Sequence, residues 1–396
     1  MTERSRHADR LRVAIPTLYP RETDKTTGGV QSVSYNLVRG LRRYSDLELH
    51  VIHCHSDIAE SATVEDGTLT VHYLAMPRRR LIPNMTTSIY RVQQLLAQLQ
   101  PDVVNAHIGY YALAALRGGF PTVYTIHGVV QEEARAYRRT LFDRLRYWLY
   151  TYYNHRAVRR VPALIAISDY VLDRYQHMAR GRWYRIDNPV TDDFFLASRA
   201  ADEVPDRVFF VGSITEVKDL HTLLEAIALV RHRVPMVQLH IAGRIVSQRY
   251  YSELQHYVAT SGLSSCVHFL GLRNRAELLR DYAEAAVVAL SSQQENAPMA
   301  VIEAMAVGKP VVCTRVGGIP GLVVNGETGY IVAPRDPQEM ADRIVVLLRD
   351  QALRHRMGRR GQEIALQRFS VAEVARQYRN VYREMAGLPP EPPAQV

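Results

Sequence analysis

Two glutamates bracket an apolar run in QQENAPMAVIEAMAVGKPVV, residues 293–312. Seven residues separate Glu295 from Glu303, and five of them (Ala297, Met299, Ala300, Val301 and Ile302) are apolar. A carboxylate on such a run is costly to bury without a partner. Either both acids sit on solvated turns, or both point into a cleft and hold hydroxyls of a ligand. Lys218, in FVGSITEVKDL, is either a surface lysine or a cation placed to neutralise a diphosphate, where a fixed ammonium can stabilise charge on a leaving phosphate. His127 closes TVYTIHG and His107 follows PDVVNA. A histidine at a strand end is structural or hydrogen-bonds a substrate hydroxyl, and both readings stay open. Gly28-Gly29 opens a helical stretch after the first strand, where backbone N–H groups can approach an oxyanion. No third glycine follows at the dinucleotide spacing. Gly317-Gly318, in RVGGIP, offers a second phosphate contact or a close backbone approach.

The elements that would position these groups alternate along the chain. LRVAIP (11–16), LELHVIHC (47–54), TLTVHYLAM, PDVVNAH (101–107), TVYTIHG (122–128) and the start of ALIAISDYVLDRY (163–175) read as strands, with helical spacing in SVSYNLVRGLRRY and SIYRVQQLLAQL (88–99). The second half repeats the scheme at 207–214, 237–244, 266–271, 287–292, 310–314 and 329–334. Such alternation predicts an α/β fold, parallel sheets with helices on both faces. Ligands of such sheets bind at the carboxyl ends of the strands, where the candidate residues fall. Pro298 suits a helix start, Glu303 falls mid-helix, and Gly308 ends that helix. The polar stretch 191–206, with Pro205, reads as a domain linker. The expected domains are 1–190 and 191–370, followed by a C-terminal helix at 371–388 that packs back toward the N-domain and a disordered proline-rich tail at 389–396.

Composition bounds the function classes. With 47% apolar and 22% charged residues the chain is globular. The N-terminal stretch lacks the apolar core of a secretory signal, and no apolar run is long enough to span a bilayer. Cys54, Cys266 and Cys313 are far apart and without metal spacing, which fits a reducing cytosol and no metal site. Residues 1–190 hold 26 Lys and Arg against 17 Asp and Glu, whereas the remainder holds 23 of each. All of the net +9 therefore belongs to the first half, pointing to an anionic partner there. Only Lys25, Lys218 and Lys309 are lysines among 49 basic residues, so each is a compact point charge where arginine is the default.

The ordered set GGV, YTIHG, IAISDYV, IDNPV, FVGSITEVKDL, CVHFLGL, SSQQENAPMAVIEAMAVGKPVV, TRVGGIPGLV and NGETGYIV resembles the retaining glycosyltransferases of family 4, over about residues 11–385. The resemblance implies the GT-B fold, two Rossmann-like domains facing across a cleft. It implies that Glu303 binds the ribose hydroxyls of a nucleotide-sugar donor and Glu295 the donor sugar. Amides around Asn296, Ala297, Pro298, Met299 and Ala300 would touch the same sugar. Lys218 would bind the diphosphate, Gly28 and Gly29 its distal phosphate, and His127 would lie at the transfer centre. Gly317 and Gly318 complete the implied donor site. No metal or cofactor is implied, the donor being a UDP- or GDP-linked sugar, and transfer would retain configuration. The family often has arginine where Ser213 stands, a charge that Arg244 could supply, and Gly-Phe where Asn296 and Ala297 stand.

In this fold the N-domain holds the acceptor, here a glycan or a lipid-linked hydroxyl in envelope or exopolysaccharide synthesis. Residues 137–160 carry Leu141, Leu145, Trp148, Leu149 and Tyr152 on one helical stripe among arginines, the composition of an interfacial helix or of an ordinary surface helix. PRRR (77–80) could join the same anionic membrane contact, giving a cytoplasmic protein peripheral to the inner face. The rival readings are another GT-B enzyme (an epimerase or a phosphorylase), a non-catalytic nucleotide-sugar-binding adaptor, and nucleic-acid binding, for which no module is visible.

Overall fold

A computed structural model describes residues 10–21, 28–55, 58–76, 82–130, 132, 141–197 and 202–389. The chain divides into two units. One comprises the chain up to Arg21, Val30–Asp187 and the segment from Val371 onward; the other comprises Asn188–Ser370 together with Gly28 and Gly29.

The first unit is built on eight strands: β1 Leu11–Pro16, β2 Leu47–His55, β3 Ala62–Asp66, β4 Leu69–Ala75, β5 Val103–Ala106, β6 Thr122–Ile126, β7 Ala163–Ala166 and β8 Arg182–Arg185. Their order is β3-β4-β2-β1-β5-β6-β7-β8, parallel except for the β3–β4 hairpin. Val13 of β1 sits between Leu49 and Val103 and is fully buried, as a strand covered on both faces requires. The last helix, Val371–Met385, belongs to this unit's core through Val374, Ala375, Tyr378, Val381 and Tyr382, which recur at helical spacing. Gly40 lets helix Gly29–Leu41 approach it, since a Cβ there would lie 2.7 Å from that of Ala375. Arg379 grips Asp46 with both Nε and Nη2.

The second unit has β9 Arg207–Val211, β10 Gln238–Ala242, β11 Val267–Gly271, β12 Val287–Leu290, β13 Val311–Thr314 and β14 Gly329–Val332, all parallel in the order β11-β10-β9-β12-β13-β14. Chain direction across the sheet reverses between β9 and β12, the switch point where loops diverge and a crevice opens at the carboxyl edge. Gly212, Gly243 and Gly271 end the three strands on one side; Gly243, at φ +152°, stands where a Cβ would be 1.8 Å from the Gly212 carbonyl.

Part of the stretch read as a linker is folded. Asp192–Leu196 is a helix whose Phe194 is fully buried against the rings of Tyr282 and, at 4.8 Å, the Arg275 guanidinium. Its two phenylalanines outweigh the polar residues around them.

Candidate active site

Lys218 ends a short 3₁₀ turn, Glu216–Lys218, after β9, and Asp219 then adopts φ +46° to start helix Leu220–Arg233. Glu295 lies in the loop after β12. The two strands are neighbours, so the two loops meet: Gln293 N donates to Val217 O at 2.8 Å and Ser291 Oγ to Lys218 O at 3.0 Å. The Lys218 ammonium donates to Glu295 Oε1, and Ser292 Oγ donates to the same oxygen at 2.7 Å. Glu295 is 8% exposed, and these two donors offset the cost of burying its carboxylate. Its Oε2 makes no hydrogen bond among the described residues, and the ammonium has two further N–H groups.

The next loop fixes that carboxylate from behind. Gly317, at φ +50°, stands where a Cβ would lie 1.7 Å from the Glu295 carbonyl, and Gly318 N donates to that carbonyl at 3.1 Å. Gly317-Gly318 thus makes the close backbone approach. Gly28 and Gly29 differ: a Cβ on either would meet nothing within 4 Å, so the protein's own packing does not demand glycine there.

Helix Met299–Val307 begins at Pro298, which offers no side-chain acceptor to the first-turn amides, and ends at Gly308 in the left-handed region. Ala297 is buried and its carbonyl accepts from Asn188 Nδ2 at 3.2 Å. Glu303 is also buried, but it does not join Glu295. It takes a hydrogen bond from the Tyr282 hydroxyl at 2.8 Å, and burial pushes its carboxyl up, against the pull of that bond and of Arg275. Arg244 is exposed in the loop after β10; its carbonyl accepts from Ile214 N at 2.9 Å, which sets it beside Ser213.

In the first unit the loops after β1, β5 and β6 bring a second cluster together. His127 Nε2 lies 3.1 Å from His107 Nδ1, and Thr17 Oγ1 and Ser34 Oγ lie 3.1 and 3.2 Å from the same nitrogen. Asn105 accepts from Thr125 Oγ1 at 2.8 Å, and its Nδ2 contacts Tyr382 OH at 2.7 Å and His107 Nε2 at 3.3 Å. With the amide so turned, His107 Nε2 accepts, its Nδ1–H faces His127, and His127 keeps its own proton on Nδ1. Burial pushes His127 down to about 4 and His107 well below the ordinary range, so both rings are neutral at pH 7.

Sequence reading missed Ser292, Tyr282, Asn105, Thr17, Ser34 and Tyr382. All are buried polar groups, in strands and helices or, for Thr17 and Ser292, in the loops just after β1 and β12; their one signal was the cost of burying a polar atom unpaired. Lys309 proves to be structural: it donates to Glu203 at 2.9 Å beside Arg354. Lys25, 77–80 and 137–140 lie outside the described residues. On helix Leu141–Val158, Trp148 is 59% exposed and stacks on Tyr152, whose ring lies 5.9 Å from the Arg156 guanidinium. No helix among the described residues is long and apolar enough to cross a membrane. Among them, too, no three His, Cys, Asp or Glu side chains gather as a metal site.

Comparison with known proteins matches residues 27–194 to the family described as Glycosyltransferase Family 4 and residues 192–364 to Glycosyl transferases group 1. A D-inositol 3-phosphate glycosyltransferase of Corynebacterium urealyticum is 33% identical over 193 residues, 47% of this chain. The match spans 45% of that relative, less than half its length. Among solved structures, sucrose-phosphate synthase from Thermosynechococcus elongatus superposes with a TM-score of 0.82 at 20% identity, covering 96% of this chain and 100% of that one. The Anabaena protein HepE in complex with UDP-glucose gives 0.70 at 20%, covering 94% and 100%.

Proposed function

The chain belongs to the family 4 glycosyltransferases of GT-B fold, and from that premise we propose that it moves a sugar from a nucleoside diphosphate to a hydroxyl of a glycan or lipid-linked acceptor, with retention of configuration. The observation that carries the reading is the group Lys218–Glu295–Ser292 at the switch point of the second sheet. It presents a mobile cation and an open carboxylate oxygen side by side, what a phosphate next to a sugar hydroxyl calls for.

In this reading Lys218 leaves Glu295 partly or wholly for the diphosphate, with Arg244 as a second cation. Glu295 Oε2 accepts from hydroxyls of the sugar, and the first-turn amides at Met299 and Ala300 add donors. Glu303 accepts from ribose hydroxyls, which would repay the cost of its burial as the Tyr282 bond alone does not. Gly28 and Gly29 leave room for a phosphate at a helix start. His127 offers a neutral N–H to a sugar or acceptor hydroxyl. As the anomeric C–O bond to the diphosphate breaks, the acceptor oxygen bonds to that carbon on the same face, and its proton passes to the departing phosphate oxygen. No divalent metal enters this scheme. The Trp148–Tyr152 stripe on a basic helix suits a peripheral contact with an anionic membrane. HepE is described in complex with UDP-glucose, which favours uridine donors as the first to try.

The test is a panel of nucleotide sugars by thermal shift, since a ligand of the native state raises the melting point. The stabilising donor is then followed for sugar release and for the anomer of the transferred product. A panel in which no nucleoside diphosphate or its sugar stabilises the chain would overturn the reading; inverted product would overturn retention.

A further inference from the structure

The first unit holds a second polar site on the edge of its sheet opposite to His107 and His127. A cavity of about 660 Å³ is lined by His155, Arg159, Arg160, His177, Met178 and Arg180. The first three come from the end of helix Leu141–Val158 and the turn into β7; the rest come from the turn into β8. Both turns feed the amino ends of parallel strands, whereas the histidine pair follows the carboxyl ends of β5 and β6.

The cavity's walls are locked together. A Cβ on Gly181 would lie 2.3 Å from the Val161 carbonyl, and Arg182 N donates to Pro162 O at 2.9 Å. Its charges are unanswered. Three neighbouring arginines have carboxylates, Arg174 with Glu132, Arg182 with Glu384, and Arg185 with Asp169 and Asp187, whereas Arg156 has the Tyr152 hydroxyl. Arg159, Arg160 and Arg180 have no carboxylate among the described residues, and no acidic residue lines the cavity. A helix carboxyl end favours cations, and both walls end one, helix Leu141–Val158 and the 3₁₀ turn Gln176–Met178 that continues Asp169–Tyr175, but this does not account for three arginines gathered around one cavity. The positive field is strong enough that Arg159, Arg174 and His177 add to burial in holding the His155 imidazole down.

We propose that this cavity binds a phosphate group through Arg159, Arg160 and Arg180, with His155 and His177 as further donors. Guanidinium forks match phosphate oxygens two at a time, and three exposed forks lining one cavity without carboxylates suit a phosphomonoester or phosphodiester. The same helix, Leu141–Val158, carries exposed Trp148 and Tyr152 before His155. The phosphate could therefore belong to a lipid headgroup or to a soluble phosphorylated compound. None of its lining residues is a proposed donor residue, so binding there can be measured without sugar transfer.

The experiment measures binding without turnover. Inorganic phosphate and glycerol 3-phosphate are titrated calorimetrically into the full chain at low salt. Flotation is run with phosphatidylcholine vesicles with and without phosphatidylglycerol. The double variant Arg159→Glu/Arg180→Glu is compared with Arg356→Glu/Arg359→Glu, which reverses two exposed arginines of helix Gln351–Arg368 that have no carboxylate partner among the described residues. Expected is saturable binding in the native and control chains, weakened about tenfold or more in the cavity variant. Loss confined to the soluble probes assigns a free phosphate compound; loss of phosphatidylglycerol-dependent flotation assigns a headgroup. Any UDP-induced thermal shift stays the same in all three chains, and its absence throughout would concern the transfer reading alone. Native chain that binds neither probe nor vesicle overturns the proposal, as does a folded cavity variant that binds as the native chain does.

Discussion

Replacing Lys218 by alanine and, separately, Glu295 by glutamine should move nucleotide affinity in opposite directions. In the unliganded protein the ammonium and carboxylate satisfy each other, the lysine side chain 23% exposed and the glutamate 9%. Lys218→Ala leaves a nearly buried carboxylate with one neutral donor, Ser292 Oγ at 2.7 Å. Exposed pairs contribute about 0.2–1 kcal/mol and breaking a buried one costs about 3–5. This half-covered pair falls between, so about 2 kcal/mol of stability should go. A charge-assisted contact to phosphate is worth about 1.5–3 kcal/mol, which weakens UDP or GDP binding about 10- to 100-fold. If charge grows on the leaving phosphate, turnover falls further, by about 10²–10³. Glu295→Gln should cost about 1 kcal/mol or less, because the amide still accepts from Ser292 and the freed ammonium can be hydrated. It releases Lys218 from its competitor, so nucleoside diphosphate affinity holds or rises while sugar transfer collapses. Urea denaturation gives the first set of values and calorimetry with whichever nucleotide stabilises the chain gives the second. A folded Lys218→Ala protein that binds the nucleotide within about twofold of native would refute the assignment. So would two variants whose affinities fall together.

Glu303→Gln should raise the stability of the unliganded protein while weakening nucleotide binding. Burial raises the Glu303 carboxyl above its ordinary 4.5, so the folded state holds that proton more tightly than the unfolded state. Its stability contribution is present below 4.5 and is lost as pH rises through the folded value; urea midpoints of the two proteins should converge at acid pH and separate above it. Gly317→Ala should cost about 2 kcal/mol or more and displace Glu295, whereas Gly29→Ala should change stability by about 0.5 kcal/mol or less yet weaken phosphate binding; thermal melts with and without nucleotide distinguish them. Burial holds His72, His127 and His240 down at about 4 each. Each contributes stability that is complete above the ordinary 6.5 and is lost as pH falls toward 4, so urea midpoints should be level near pH 7–8 and fall below pH 6, and the NMR signal of His127 should not titrate between them. Lys309→Ala should cost about 3 kcal/mol through the Glu203 cluster and leave nucleotide affinity untouched, the reverse weighting of Lys218.

Parallel strands covered on both faces read as unbroken apolar runs, which is why LRVAIP was legible to its ends and the six strands of the second half were legible within runs up to three residues too long at an end. The edge strand Ala62–Asp66 was not: every residue is exposed, so neither an apolar run nor alternation marks it. Its turn carried a signal all the same, Gly67-Thr68 with Gly67 at φ +64° in the first central position. The candidate residues were legible by type, because an acid or a lone lysine stands out among apolar residues and arginines. Their pairing was not. Lys218 and Glu295 are 77 positions apart and Asn105 and Tyr382 are 277 apart; only strand order brings them together, and order is set by packing across the whole sheet. Nor does residue type distinguish Gly317, where the fold forbids a side chain, from Gly29, where only an incoming ligand would.

The two glutamates look equivalent in the sequence and are opposite in the protein. Glu295 is answered by an ammonium and a hydroxyl and has one oxygen to spare. Glu303 is sealed against a phenol, and its charge is opposed by burial. A residue kept purely for the fold would not be an acid at that place, since glutamine or methionine would fill the helix position without the desolvation cost. The acid is accounted for if hydroxyl donors arrive and its charged form is then the better acceptor. Ribose binding would therefore draw a proton off Glu303. Nucleotide affinity should rise with pH through the range where that carboxyl titrates, and calorimetry below neutral pH in buffers of different ionisation enthalpy should detect proton release on binding. Glu303→Gln should abolish both. A native protein whose nucleotide binding releases no proton across the acid range would return Glu303 to the fold.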